Sequence, residues 1–195
     1  MATTRPDWPP IEGIAPDLRA VPPEFHQQAW DALSRRDWLR FVVSAGQGAA
    51  LASVVDNIRL LRVLDIYELA LLDAYVGGKE GRWDWNTKVL HFLFQRADPQ
   101  KLRAAGDPLP GPGPYTLYRG VAGKSRARRV KGISWTASRE TAEWFADRRF
   151  AGSLPDPAVY QVTVEEQYVW AYTNEREEQE FLVWLPSGIR PKRIR

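Results

Sequence analysis

Residues 107–114 read DPLPGPGP. Each proline fixes φ and removes a backbone donor, and the glycines between them favour turns. Such a stretch is excluded from a helix interior and from a central strand. It divides the chain into two textures, so we expect an N-terminal portion over 24–106, a linker over 107–114 and a second portion over 115–195. Residues 1–23 carry six of the fifteen prolines and read as an extended arm or loose leader.

Before the linker the pattern is helical. Phe25, Trp30 and Leu33 open an amphipathic stripe that Trp38, Phe41 and Val42 continue. Gly46 and Gly48 predict a break. Val54, Val55, Ile58, Leu61 and Leu64 share one side of a helix read over 51–75, and Gly77 and Gly78 stop it. Asp84 or Asn86 supplies a cap for a further helix through Phe94. After the linker the period changes. YTLYRG (115–120) predicts a strand, 132–136 a second, VYQVTV (159–164) a third, and 168–172 and 180–185 two more. Between them, 138–150 reads as a helix capped by Ser138, with Ala142, Phe145 and Ala146 as its apolar stripe. The fold class expected is α+β, with a helical N-terminal portion and a sheet built mainly from 115–195.

Composition removes several chemistries. With 44% hydrophobic residues the chain is expected to bury a core. The absence of cysteine rules out disulfides, a thiolate zinc site and a cysteine nucleophile. The two histidines, His26 and His91, are far apart, and no metal site is expected; His91, in the apolar run 89–94, reads as a core histidine. The nine tryptophans read mostly as core. A net charge of +3 does not by itself imply nucleic acid. The excess is concentrated in Lys124, Arg126, Arg128, Arg129 and Lys131, and in 190–195. No apolar signal core opens the chain, and 41–55 is too short to span a bilayer. A soluble cytoplasmic protein is expected, possible to deliver into another cell by a dedicated export route, with no membrane partner and an undetermined oligomeric state.

Three short elements carry candidate chemistry. Arg119 ends a strand and precedes Gly120; an arginine can clamp a phosphate, and a glycine admits close approach to the backbone. Ser134 and Thr136 flank Trp135 on a strand, which puts both hydroxyls on one face. Glu178 and Glu180, two apart, open an apolar strand and project from the same side of it. Two neighbouring carboxylates repel and need a cation or hydroxyl nearby. Each element alone also has an ordinary reading: a surface charge, a half-exposed strand edge and a solvated acidic turn.

The ordered set resembles the ADP-ribosyltransferase family of the arginine–serine–glutamate type, found among bacterial toxins and related phage or effector enzymes. That family has an arginine on a first strand, Ser-Thr-Ser on a strand before a helix, and Glu-x-Glu opening a later strand. The match runs from Tyr115 to the C-terminus, and Ser-Trp-Thr stands where the family has Ser-Thr-Ser. The resemblance implies a split β-sheet core and NAD as co-substrate, with no metal. It implies that Glu180 stabilises the oxocarbenium-like ribose, that Ser134 orients Glu180, and that Arg119 holds the pyrophosphate or the nicotinamide-side ribose. Thr136 joins the cofactor-binding set through its shared face with Ser134. The Gly120 backbone would meet the nicotinamide amide, and Trp135 or Phe145 would pack on its ring unless they are core. Arg148 and Arg149 would supply a second phosphate contact or a solvated helix end. The loop 172–177 would read the acceptor, with Glu178 positioning or deprotonating it. An intact Glu-x-Glu resembles members that modify arginine, so a macromolecular acceptor, a protein arginine before a nucleic acid, is expected.

Two other readings use the same residues differently. The basic loop 124–131 would contact phosphates in a nucleic-acid ADP-ribosyltransferase. A non-catalytic binding or inhibitor module would keep the fold without turnover.

Overall fold

The computed structural model describes residues 8–78, 85–124, 128–149 and 154–195, with Arg148 and Arg149 described in backbone only. The phosphate contact considered for those two side chains, Arg126 of the basic loop and the candidate cap Asp84 lie outside the described residues. The fold is α+β: helices come first, then an antiparallel sheet of six strands. The chain divides into two compact units, Met1–Asn86 and Thr87–Arg195.

The first unit holds α1 (His26–Ser34), α2 (Trp38–Ser44), α3 (Gly46–Asp56), α4 (Ile58–Val63) and α5 (Tyr67–Gly77). Leu33, Phe41, Val54, Leu61, Tyr67 and Leu71 are among its fully buried side chains. The break expected near Gly46 is present, and Gly46 has φ 72°. The single helix expected over 51–75 is instead three. Asn57 ends α3 because its side chain is committed elsewhere: Nδ2 donates to the carbonyls of Asp17 (2.7 Å) and Ser53 (2.9 Å), and Oδ1 accepts from the Asp17 amide (2.8 Å). Asp65, at φ 61°, turns the chain between α4 and α5. The same bonds hold the described part of the expected loose arm, 8–23, in place. Leu18 and Val21 are buried, Ile11 bridges to Ile14, and the Trp30 indole donates to the Pro9 carbonyl at 3.1 Å.

The second unit opens with α6 (Thr87–Gln95) and α7 (Pro99–Ala105), so the division falls ahead of the Pro/Gly stretch. α7 starts where Asp98 accepts from the Gln100 and Lys101 amides, with Pro99 in its first turn. It is stitched to the sheet edge. Arg103 donates to the carbonyls of Val169 and Glu166, the Asp107 amide to the Tyr172 carbonyl (2.8 Å), and the Asn174 amide to the Asp107 carboxylate (2.7 Å). Residues 107–114 are therefore fastened along the β unit rather than swinging between two bodies. On α6, His91 and Phe94 pack their rings on Trp170. The His91 Nε2 donates to the Lys131 carbonyl at 3.4 Å, and burial pulls its pKa below the ordinary value against that bond.

The strands are β1 (Tyr115–Val121), β2 (Ser134–Thr136), β3 (Ala158–Val164), β4 (Val169–Thr173), β5 (Glu180–Val183) and β6 (Lys192–Arg193), in the spatial order β4-β5-β2-β1-β3-β6. One face carries the larger core: Tyr115, Leu117, Trp135, Val162, Val164 and Phe181. The other face carries α8 (Arg139–Trp144), which packs Ala142 on Val159 and continues into a π-helical turn, Phe145–Arg149. Ser138 caps α8 as its sequence position predicts, accepting from the Thr141 amide at 3.0 Å.

Candidate active site

Trp135 fixes the geometry of β2. Its indole is 1% exposed in the larger core, opposite Phe181, and its Nε1 donates to the Gly132 carbonyl at 2.9 Å. Strand alternation then turns Ser134 and Thr136 to the α8 face. Glu180 lies on that face too, because it is in register with Thr136 on one side and with Thr173 on the other.

Glu180 is 3% exposed, and a carboxylate so placed needs partners. The Ser134 hydroxyl donates to its Oε1 at 2.5 Å, diagonally across β2 and β5. The Arg176 guanidinium donates to its Oε2 at 3.2 Å. The same Arg176 nitrogen lies 3.3 Å from Glu178 Oε2. Two carboxylates thus share one guanidinium.

The β4–β5 hairpin that carries these groups is held in an uncommon shape. Glu177 and Gln179 have φ 56° and 47°, left-handed values that few side chains adopt. Hydrogen bonds impose them. The Glu177 amide donates to the Asn174 carbonyl (2.9 Å), the Gln179 amide to the Asn174 side chain (3.1 Å), and the Ala137 amide to the Gln179 carbonyl (3.2 Å). Thr136 Oγ1 donates to the Glu178 carbonyl at 2.6 Å and accepts from the Ser138 amide at 3.0 Å. Thr136 is therefore a fastener between β2, the start of α8 and the hairpin. In the larger core on the opposite face, burial and the Asp107 charge push the Tyr172 phenol up from its ordinary pKa.

β1 and β2 pair only at Tyr118 and Thr136 and then part. Arg119 bridges the gap. Its Nε donates to the Arg129 carbonyl at 3.1 Å and an Nη to the Ser134 carbonyl. The guanidinium lies so close over Gly132 that a Cβ there would come within 2.2 Å of it. Ser134 is consequently the hinge of the cluster: a guanidinium bonds its carbonyl and a carboxylate bonds its hydroxyl.

The remaining predicted residues fall elsewhere. Trp135 is core on the opposite face from Glu180, so its ring is not available to a ligand beside that carboxylate. Gly120 lies under α8: a Cβ would come within 1.9 Å of the Ala142 carbonyl oxygen, so helix packing alone requires glycine here. Phe145 is half-buried at the end of α8, edge-on to Trp144 at 5.1 Å between centroids. Arg176 was not singled out by sequence reasoning. Its signal was present, since it is the one cation in the loop 172–179, two and four residues before the paired glutamates that need one.

In the basic loop, Arg128 is tied down rather than presented to solvent. It bonds the Gly123 carbonyl (2.9 Å) and the Asp156 carboxylate, and Arg193 joins the same carboxylate at 3.2 Å. Among the described residues no group of three His, Cys, Asp or Glu side chains is placed to hold a metal, and no single helix is long and apolar enough to cross a membrane.

Fold and site together define an α+β chain whose antiparallel sheet carries Ser134 and Glu180 on its α8 face, with the Arg119 guanidinium bonded to the Ser134 backbone carbonyl. No protein-family model, curated protein or solved structure matches the chain.

Proposed function

We propose that this chain is an ADP-ribosyltransferase that cleaves NAD and transfers ADP-ribose to a macromolecular acceptor, a protein arginine. The observation that carries the proposal is the contact of Ser134 Oγ with the buried Glu180 carboxylate, with Arg119 fastened to the carbonyl of the same serine. The order of charges here, cation then carboxylate, suits what NAD presents: a pyrophosphate dianion and, across the ribose attached to it, the C1′ centre that becomes cationic during cleavage.

In the proposed reaction the bond between ribose C1′ and the nicotinamide nitrogen breaks, and its electron pair leaves with nicotinamide, which becomes neutral. Glu180 faces the oxocarbenium-like ribose and stabilises its charge, worth most in a site where water is excluded. Ser134 is a positioning residue that fixes the carboxylate rotamer. An acceptor guanidinium approaches from the hairpin side, its nitrogen forms the new bond to C1′, and Glu178 takes the proton it releases. Arg119 supplies the cation for the pyrophosphate.

The test is incubation of the full chain with NAD labelled in its adenylate half and a mixture of proteins and RNA. Label on protein arginine is expected. Label on RNA alone would move the acceptor to nucleic acid, and absence of both label and nicotinamide release would reject the reading.

A further inference from the structure

We propose that Arg176 occupies the acceptor position of this site and is modified by its own chain. The inference rests on the reading of the site given above. Its own observation is that one Arg176 nitrogen, Nη2, lies 3.2 Å from Glu180 Oε2 and 3.3 Å from Glu178 Oε2. A guanidinium bridging these two carboxylates is what an acceptor arginine has to become. One carboxylate is the group set beneath the reacting ribose, and the other is the base that takes the acceptor's proton.

The hairpin makes this placement a built feature. With φ positive at Glu177 and again at Gln179, the loop folds back, so that a side chain four residues before Glu180 returns over it. Asn174 pins both ends of the turn and is itself tied to Asp107. The Arg176 side chain is about a quarter exposed, as is that of Glu178, whereas that of Glu180 is buried. The guanidinium thus lies between solvent and the buried carboxylate, on the path an external acceptor has to take.

The step balances without a further reactant. The C1′–nicotinamide bond of NAD breaks with its pair on nicotinamide. Arg176 Nη2 forms the new bond to C1′ and gives up one proton to Glu178, which passes it to water. The products are nicotinamide, a proton and ADP-ribosyl-Arg176. An external arginine must first displace the internal one, so the two acceptors compete.

The experiment uses the full chain with NAD and no added acceptor, followed by peptide mapping, and then repeats it with agmatine as a soluble guanidino probe. The expected result is ADP-ribose on Arg176, at a rate per molecule unchanged by dilution, suppressed by agmatine and lost in Arg176→Lys. Transfer to agmatine with Arg176 unmodified in the wild-type chain would overturn the inference and leave the proposed function standing. So would a rate per molecule that rises with protein concentration, which places the acceptor on another copy. No nicotinamide release with or without agmatine would overturn the proposed function and this inference together.

Discussion

Ser134 and Trp135 are adjacent and do opposite things. The hydroxyl of Ser134 is bonded to a charged, buried carboxylate, a class of hydrogen bond worth about 1.5–3 kcal/mol. Ser134→Ala is therefore expected to lower transfer by roughly 10- to 100-fold, as for a ligand-orienting partner, with a stability loss inside that hydrogen-bond range. A kcat that falls while the KM for NAD holds would mark positioning; an unchanged kcat would remove Ser134 from the site. Trp135, by contrast, is predicted to act on folding. Trp135→Ala should cost about 3–5 kcal/mol, the usual loss for a buried aromatic, read as a shift in denaturant midpoint. A variant with wild-type stability and impaired NAD binding would instead return Trp135 to the ligand.

What the sequence disclosed at this scale follows from alternation. Ser134 and Thr136 were legible because spacing by two fixes a shared strand face, and Glu180 joins them there; Glu178, read on the same strand as Glu180, instead lies in the turn before β5 and reaches the cluster through Arg176. Trp135 was ambiguous because one residue does not say which face is core. Gly120 was ambiguous for a related reason: a glycine for ligand approach and a glycine for helix packing look identical until Ala142 is seen above it. Arg176 was passed over because its role depends on a turn whose left-handed residues are Glu177 and Gln179, neither of which advertises such a conformation.

At the scale of elements, the loop 122–130 and the approach to β3 are clasped by Asp156 between Arg128 and Arg193. Burial works to raise the Asp156 pKa, but bonds and charge from Arg128 and then Arg193 outweigh it and hold the carboxyl below its ordinary value. The sign follows from proton linkage. With the folded pKa below the unfolded one, the clasp stabilises above the unfolded value, near 3.9, and that stabilisation is lost as pH falls through the folded value. The stability gap between wild type and Asp156→Asn should accordingly be open near neutrality and narrower at an acidic pH below the ordinary aspartate range. A gap of equal size at both pH values would show that the charge of Asp156 contributes nothing. Elements themselves were largely legible: the five expected strands, the Ser138 cap and the break at Gly46 are present. The helix read over 51–75 was not, because periodicity continues through Asn57 while the Asn57 side chain bonds Asp17, a partner forty positions away.

At the scale of the whole molecule, two compact units replace the expected leader, helical portion and linker. Proline content marked 1–23 and 107–114 as irregular, and the described residues 8–23 and 107–114 lie outside the helices α1–α8 and strands β1–β6, but irregular backbone still packs when its few apolar side chains find a core. Leu18 and Val21 are 5% and 3% exposed, and burying such side chains contributes about 1.5–3 kcal/mol each, an upper bound given a compact unfolded chain. Removal of residues 1–23 should therefore cost about 3 kcal/mol, lowering the melting midpoint by roughly 6–12 °C. Unchanged melting would show that this segment adds no stability.

The account turns on Glu180, the buried carboxylate that the sequence placed inside a strand and the structure bonds to Ser134 and Arg176. The most direct measurement is nicotinamide release from NAD by the wild-type chain and by Glu180→Gln, a substitution that keeps the shape of the side chain and removes its charge, with circular dichroism on both. Release by the wild type, its loss in the variant and superimposable spectra are the predicted result. Equal release by the two proteins, or none by the wild type under any acceptor, would contradict it.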